Sequence, residues 1–459
     1  MKRIAMARGI HLAILALCVV MLLYQASIPA AHEGSVGWVE EGYQPPWEAI
    51  LFGAVAFGLA SLSCWYPASG MVAITLVTFG IRRYSAELEW AWTSGFQTAV
   101  VILCGAGMLI SPPVRQRLQN AWNGRHVWPR VVAAMFLWSL LCEGIARLTS
   151  DSVPGPKHHV LRMIESLVVL LAGYAFFTNV RSLRWMASAA VAGLALLLLQ
   201  VPQFENASDV AFVMAPMACL FAGLAICQRW PAMILVSALA ACCSLVSIAT
   251  ANRGANVGLL VGLACLLIAS MRTAKRAAVV ILMLAVAGLF AFSSPLRPRI
   301  QQWIDAGWET PTLKSRLEFW ETTLQAPAGH LVFGSGPGRG GQNMSQELEL
   351  SRWRATHNSV LEILDEQGII GAVLWLLVWG LALLACFGGF RSDAPWVSGV
   401  SLAVLASLLA MFVGALAVSR HDDIRMFWLL GLALALGALR RKGDEIEPKR
   451  NPSAHVSNG

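Results

Sequence analysis

The stretch Gly368–Gly388, with the sequence GIIGAVLWLLVWGLALLACFG, decides the fold of this chain. Its 21 residues include no charged side chain. A transmembrane α-helix needs about 20 consecutive apolar residues to cross the hydrocarbon core of a bilayer. The stretch therefore predicts a membrane-spanning helix, and similar apolar runs recur along the rest of the sequence.

The chain as a whole is too apolar for a soluble fold. Its 459 residues are 57% hydrophobic and only 13% charged, with a mean hydropathy of +0.62, whereas soluble domains are about 25% charged. A soluble globule of this length has too much surface to hide such an apolar chain from water. The composition excludes a soluble α/β enzyme, a disordered chain and a disulfide-stapled secreted domain. The ten cysteines all lie in apolar runs, without the spacing of a metal or redox site.

Apolar runs of helical length predict about fourteen candidate spans. They lie near 9–28, 47–65, 68–81, 94–111, 129–147, 161–179, 185–202, 209–227, 231–250, 254–271, 277–294, 368–388, 396–418 and 425–440. No run alternates polar and apolar residues over the length of a barrel strand, so an outer-membrane β-barrel is not favoured.

The basic residues predict the orientation of these spans. With the N-terminus in the cytoplasm, inward segments hold more than half of the 34 Lys and Arg residues, as the positive-inside rule requires. Both termini are then cytoplasmic, which demands an even number of spans. The first apolar run is either a retained helix, which its length favours, or a cleaved signal peptide.

One outward segment, about 295–357, is too long to be a simple connector and is therefore a candidate for function. Its pattern predicts an amphipathic helix near 312–326, a glycine-rich turn at 333–341 and a second helix near 343–354. The turn reads GSGPGRGG. It either presents backbone N–H groups to a phosphate or is a flexible turn, and it lacks the Gly-Lys-Ser/Thr ending of a P-loop.

The segment ends at His357, where a helix is predicted to begin at about Asn358. His357 then lies at the outer surface of the membrane, and Asn358, Glu362 and Asp365 share one face of the helix. A half-desolvated imidazole titrates near neutral pH and can act as a general base. A structural role for a histidine at a membrane interface is the alternative.

Two arginines on the same outward side are further candidates. Arg253 falls between two apolar spans and either snorkels into the headgroups or points into a cavity. Arg316 either binds a ligand or forms a salt bridge with Glu318 or Glu321.

Other polar positions are weaker candidates. Glu143 and Glu165 lie in or near spans and either line a cavity or pair with Arg147 and Arg162. The outward loop that contains His421 either borders the same cavity or is exposed.

Several of these elements occur in an order that resembles the O-antigen ligase and O-antigen polymerase superfamily of bacterial membrane glycosyltransferases. The family pattern has a Ser-Arg-Gly-like element opening a span, then a long periplasmic loop with an Arg, a Trp, a Gly-x-Gly-x-Gly turn and a final His-Asn signature. The resemblance covers about 245–390, and Asn252 stands where Ser is commoner. The counterparts here are Asn252-Arg253-Gly254, Arg316 with Trp320, the turn glycines Gly334, Gly336 and Gly338, and the signature His357, Asn358, Leu361, Glu366, Gly368 and Gly371.

The resemblance implies transfer of a glycan from undecaprenyl diphosphate to an acceptor hydroxyl, such as that of lipid A–core. It implies inversion at the sugar, no metal or cofactor, and no nucleic-acid partner. His357 would be the catalytic base, and Arg253, Arg316 and Arg339 would bind the pyrophosphate. Supporting roles are implied for Asn358, Trp320, Gly334, Gly336, Gly338 and Glu366.

The expected architecture is an all-α polytopic membrane protein with about 12–14 transmembrane helices and one long, partly helical periplasmic loop. Residues 1–294 would hold about eleven spans and 358–442 about three. Residues 295–357 would form a periplasmic cap loop, and 443–459 a disordered cytoplasmic tail. The expected location is the bacterial inner membrane, with the active site facing the periplasm.

Other functions stay open at this point. A polymerase that joins lipid-linked repeat units, or a protein-glycosylating relative, would differ from a ligase only in its acceptor. A transporter would show inverted repeats and broken helices. A structural or sensory protein would carry an appended soluble domain.

Overall fold

A computed structural model describes most of the chain. The described residues are 47–80, 91–124, 126–149, 159–199, 207–228, 232–250, 252–271, 311–339, 356–419 and 423–446, with the single residues 280, 281, 285, 288, 301, 305 and 421. The predicted span near 9–28 and the predicted helix near 343–354 lie outside the described residues. The predicted span near 277–294 lies almost entirely outside them.

The described residues form α-helices joined by turns, which confirms the all-α class. The helices are α1 Trp47–Ser61, α2 Pro67–Gly80, α3 Ala91–Ile110, α4 Pro112–Asn123, α5 Trp128–Thr149, α6 His159–Phe176, α7 Val180–Leu199, α8 Ala207–Ile226, α9 Ala232–Ala249, α10 Arg253–Ser270, α11 Pro311–Leu324, α12 Ala328–Phe333, α13 Ser359–Phe390, α14 Pro395–Ala415 and α15 Ile424–Ile446.

Five of the described helices are long and apolar enough to cross a membrane, and a sixth span is present if the bent pair α3–α4 is counted as one. Three further apolar segments are shorter. The chain is therefore a polytopic membrane protein. The helix α11 confirms the amphipathic helix that the sequence predicts near 312–326. The helix α15 runs to Ile446, so its end falls within the predicted tail, and residues 447–459 lie outside the described part.

The chain divides into two compact units. The first unit comprises Met1–Val210, Gln301–Val378 and Ala415–Leu432, and the second comprises Ala211–Ile300, Trp379–Gly414 and Ala433–Gly459. Most of the residues that the sequence singles out lie in the first unit. Arg253 lies in the second.

Glycines let helices of the first unit approach closely. A Cβ built at Gly431 of α15 would lie 2.2 Å from the carbonyl oxygen of Leu170 in α6. Gly173 of α6 makes a similar approach, with 3.1 Å to the carbonyl oxygen of Trp428. The Trp428 indole also donates a hydrogen bond of 3.2 Å to Thr75 in α2. Small residues thus bring α6 and α15 into close backbone contact, as is common inside membranes, and the Trp428 side chain links α15 to α2.

The helices α3 and α4 meet at an angle of 81°. The cause is the pair Pro112-Pro113 at the start of α4, because proline cannot donate the hydrogen bonds that would continue α3. The guanidinium of Arg117 in α4 lies 5.0 Å from the ring centroid of Tyr174. The Trp128 ring packs on the same tyrosine, with centroids 4.6 Å apart, so α4 is fixed against α5 and α6.

The second unit is built on close contacts of α14 with α8 and α10. A Cβ at Gly258 would lie 2.3 Å from the carbonyl oxygen of Ala410, and one at Gly262 would lie 2.8 Å from that of Ala406. Pro216 interrupts the hydrogen bonding of α8, and Ser407 of α14 donates to its carbonyl at 2.8 Å.

Candidate active site

The His-Asn signature forms a short, sharply bounded helix. The Asn358 side-chain oxygen accepts hydrogen bonds from the backbone N–H groups of Val360 at 3.0 Å and Leu361 at 3.2 Å, so Asn358 is the N-cap of α13. Gly368 ends the first segment of α13, with φ 67° and ψ −174°. We call residues 359–367 the signature helix. The predicted span begins directly after its break.

Gly368 occupies a position that only glycine can fill. A Cβ there would lie 2.0 Å from the carbonyl oxygen of Val332, and its positive φ is one that other residues rarely adopt. The backbone of α12 therefore touches the backbone of α13 at its break.

The carbonyl groups at the end of the signature helix have partners from elsewhere in the fold. The N–H of Ser335 donates to the carbonyl of Asp365 at 2.8 Å, and that of Gly336 donates to the carbonyl of Glu366 at 2.9 Å. The Trp138 indole donates to the carbonyl of Gln367 at 2.8 Å. Because helix ends leave such groups unsatisfied, these three bonds dock the glycine turn and α5 onto this helix end.

This docking gives the described part of the glycine turn a structural role. Gly334, Gly336 and Gly338 have positive φ values of 73°, 101° and 74°, so the turn has a defined conformation. The N–H groups of Gly334, Ser335, Gly336 and Arg339 all donate to backbone carbonyls. They are therefore not directed at a phosphate, and in this structure the turn is a docking element.

Three carboxyl side chains of the signature helix are buried. Glu362, Asp365 and Glu366 are 8%, 4% and 3% exposed. Burying a charge is costly unless it is paired. Two histidines from other segments supply the partners, so the cluster is a set of buried acid–histidine contacts.

The first partner is His330 of α12. Its Nε2 lies 2.7 Å from Oδ1 of Asp365. The second oxygen of Asp365 is buried and has no hydrogen-bond partner among the described residues. This pair joins the cap to the signature helix.

The second partner is His421. Its Nδ1 lies 3.1 Å from Oε2 of Glu362, and its Nε2 lies 3.2 Å from Oε2 of Glu366. Burial alone would lower the pKa of His421, but the negative charges of Glu366 and Glu362 outweigh it and raise the pKa well above its ordinary value of 6.5. His421 is therefore an imidazolium between two carboxylates at neutral pH.

The His357 side chain is partly exposed and partly desolvated, and its backbone stands in a strained conformation. Its φ is 53°, and among the described residues no other non-glycine residue has a positive φ. Its N–H donates to Ser419 Oγ at 2.9 Å. The Trp320 indole donates to the carbonyl of the preceding Thr356 at 3.1 Å. Strain of this kind is common at functional sites and persists only where neighbours hold it.

Arg316 sets the electrostatic environment of His357. Partial burial and the positive charge of Arg316 both lower the pKa of His357 below 6.5. Arg316 lies one turn before Trp320 on α11, so both residues belong to one face of that helix. At neutral pH the imidazole of His357 is therefore neutral and can accept a proton.

The other two predicted arginines occupy different settings. Arg339 ends the glycine turn and is only 4% exposed, so it offers little surface to a ligand. Arg253 is the first residue of α10 in the second unit and is exposed. The Asn252 side chain caps α10 by accepting from the N–H of Ala255 at 2.9 Å.

An apolar cavity lies beside His421. Its walls come from α5, α6, α13 and α15. The lining residues are Met135, Phe136, Ser139, Met163, Ser166, Ile363, Gln367, Trp375, His421 and Phe427. In the described part of the chain, no three His, Cys, Asp or Glu side chains are grouped so as to hold a metal ion.

Comparison with known families bears on this site directly. Residues 236–376 match the family model described as O-antigen ligase. The match covers about a third of the chain and supports its resemblance to the O-antigen ligase and polymerase superfamily. That superfamily implies a membrane glycosyltransferase-like enzyme that acts on lipid-linked glycans. No curated protein matches the chain.

The O-antigen ligase segment contains Arg253, Arg316, Arg339 and the whole signature helix, but it ends before the loop that carries His421. The structure brings His357, Arg316 and Trp320 together, and it joins the glycine turn to Glu366.

Two candidate site residues had a weak signal or none in the sequence. His330 carries no spacing signal, because its partner Asp365 is 35 residues away. His421 is 59 residues from Glu362, and only its position in an outward loop marked it. Glu165 accepts from Gln97 at 2.8 Å and Thr98 at 2.7 Å, which are neutral partners that the sequence did not predict.

Proposed function

We propose that the protein is an O-antigen ligase-like glycosyltransferase. It moves a glycan from undecaprenyl diphosphate to an acceptor hydroxyl of lipid A–core at the periplasmic face of the inner membrane, with both termini in the cytoplasm. The observation that carries the proposal is His357, an exposed and neutral imidazole at the start of the signature helix, next to the positive charge of Arg316.

The reaction is a direct displacement at the anomeric carbon. The acceptor oxygen forms a bond to that carbon while the bond to the diphosphate oxygen breaks. His357 takes the hydroxyl proton, and undecaprenyl diphosphate leaves with the electron pair. Attack opposite the leaving group inverts the configuration of the sugar. The diphosphate is a good leaving group, so the residues present need supply only a base and positive charge.

Arg316 supplies the positive charge beside the base. A guanidinium can hold a diphosphate through paired, charge-assisted hydrogen bonds, and it stabilises the charge that grows on the leaving group. We propose that Arg253 contributes to the same anion, as the resemblance implies. Arg339 is buried, so we propose that it acts through the glycine turn.

The lipid carrier explains why the site belongs at a membrane surface. The sugar diphosphate is polar and its isoprenoid chain is apolar, so the reacting carbon stays near the interface. Trp320 and Asn358 support the site by holding the chain on either side of His357.

Gene deletion followed by analysis of surface glycans tests the proposal. A ligase predicts loss of polymer from lipid A and accumulation of polymer on the lipid carrier. Accumulation of single repeat units would instead indicate a polymerase. Unchanged glycans together with a changed solute flux would overturn the transferase assignment.

The residue assignment has its own test. His357→Ala should lower transfer by roughly 10²–10⁴-fold, the usual contribution of a general base, at a normal protein level in the membrane. Full activity in this variant would show that His357 is not the base.

A further inference from the structure

We propose that Ser419 and His421 are positioning residues for His357. Ser419 holds the backbone at His357, and His421 anchors the loop that carries Ser419 to the signature helix. This inference rests on the proposed function only in giving His357 a catalytic task. Neither residue lies in the segment that matches the family.

Ser419 contacts the chain on both sides of the strained residue. Its Oγ accepts from the N–H of His357 at 2.9 Å and lies 3.2 Å from Oγ1 of Thr356. Thr356 Oγ1 in turn donates to the carbonyl of Asn358 at 3.2 Å. One consistent assignment has the Ser419 hydroxyl donating to Thr356, which leaves each hydroxyl one donated bond. Thr356 is fully buried, so these contacts form in a fixed setting.

His421 ties the same loop to two successive turns of the signature helix. Glu362 and Glu366 are four residues apart and therefore lie on one helix face. The two nitrogens of His421 contact one carboxylate each, at 3.1 Å and 3.2 Å. Both contacts are favourable only when the ring is protonated at both nitrogens. The imidazolium thus holds the loop to the signature helix through two ion pairs.

A third bond closes the anchor. Ser359 Oγ donates to the carbonyl of Val418 at 2.8 Å. Loop residues 418, 419 and 421 therefore each contact the segment 356–366. Beyond the loop, buried Asp423 accepts from the backbone N–H of Arg425 at 2.9 Å and pairs with its side chain, which fixes the start of α15.

Within the part of the chain that the structure describes, few charged groups face these two histidines. Glu362 and Glu366 face His421, and the other side chains that line the cavity beside it are neutral. Arg316 is the charged group that acts on His357. A change in the loop that frees His357 from its position should therefore register in the titration of His357 itself.

The test measures the pKa of His357 without any glycan substrate. Diethyl pyrocarbonate acylates the neutral imidazole, so its rate at His357, read by peptide mass spectrometry across pH, reports the pKa of that residue. The full chain is used in detergent micelles. A failure of this test is independent of the proposed function, which gene deletion with glycan analysis decides, and of the base assignment, which the activity of His357→Ala decides.

Ser419→Ala should shift the labelling midpoint of His357 up toward 6.5, because His357 leaves the desolvated position beside Arg316. Ser419→Thr keeps the hydroxyl and should keep the wild-type midpoint. The double variant His421→Gln/Glu366→Gln removes the imidazolium together with one of its two carboxylate partners, so that two buried carboxylates are not left facing each other. It should shift the midpoint as Ser419→Ala does.

Unfolding would also move the His357 midpoint to 6.5, so only variants whose circular dichroism and gel filtration match the wild type are compared. A wild-type midpoint in folded Ser419→Ala would overturn the role of Ser419. A wild-type midpoint in the folded double variant would overturn the role of His421.

Discussion

His330 Nε2 lies 2.7 Å from Asp365 Oδ1, and this contact joins two segments that are 35 residues apart in sequence. The carboxyl of Asp365 is 5% exposed and the imidazole 23%. The pair thus holds the short cap helix α12 on the buried side of the signature helix, one turn before its break at Gly368.

Removing His330 should destabilise the fold. His330→Ala leaves Asp365 buried without its partner, and loss of one member of a buried pair costs about 3 kcal/mol. We expect a lower Tm in detergent for this variant. Lys314→Ala, at an exposed position of the neighbouring helix α11, should leave the Tm unchanged. Equal Tm values for both variants would show that the pair does not hold the cap.

Gly368 of α13 can be tested against Gly380, a glycine of the same helix in open surroundings. Gly368→Ala places a Cβ 2.0 Å from the carbonyl oxygen of Val332 at a φ of 67°, whereas no described heavy atom lies within 4 Å of a Cβ at Gly380. We expect Gly368→Ala to abolish folded protein. Gly380→Ala should be tolerated or gain about 0.5–1 kcal/mol in helix stability. Yield after gel filtration and Tm provide the comparison, and similar yields would contradict the docking of the cap on the break.

The all-α class and long apolar helices such as α13 were predictable because they depend on local composition. A run such as 369–388 requires a helix whatever its neighbours are, since no water is present to satisfy an open backbone. The start of α13 at about Asn358 and the helix α11 were predictable for the same reason. Each depends on residues within a few positions of one another.

The role of the glycine turn was not predictable from the sequence. Its pattern indicated an unusual backbone, and Gly334 and Gly336 do have positive φ. The acceptors of the Ser335 and Gly336 N–H groups, however, lie 30 residues further along the chain, on Asp365 and Glu366. A spacing pattern contains no information about such partners, so the sequence offered phosphate binding or a flexible turn and did not indicate docking on a helix end.

Arg316 should control the pH dependence of transfer. The lowered pKa of His357 keeps the base neutral at neutral pH, and activity is lost as pH falls through that pKa. Arg316→Met removes one cause of the lowering, so the acid limb of kcat/KM should move to higher pH. Arg316→Lys keeps the charge and should keep the limb in place. If the acid limb did not move in Arg316→Met, the charge of Arg316 would not affect the pKa of His357.

His421 should make stability depend on alkaline pH. Because its folded pKa is raised above 6.5, its contribution to stability is fully present below pH 6.5 and is lost as pH rises through the raised value. The wild-type Tm should therefore fall at alkaline pH. The fall should be smaller in His421→Gln/Glu366→Gln, which lacks the imidazolium. Parallel curves for the two proteins would place the alkaline transition elsewhere.

Binding of a diphosphate should strengthen the base. A diphosphate held by Arg316 cancels the positive charge that lowers the pKa of His357 and adds negative charge beside it. The pKa should then rise toward or above 6.5, so the imidazole accepts a proton more readily once the donor is bound. Farnesyl diphosphate is a suitable probe, and diethyl pyrocarbonate labelling of His357 reports the shift. Arg316→Met should abolish it, and farnesol, which lacks the diphosphate, should produce none. A shift with farnesol, or none with farnesyl diphosphate at concentrations that saturate binding, would contradict diphosphate binding next to His357.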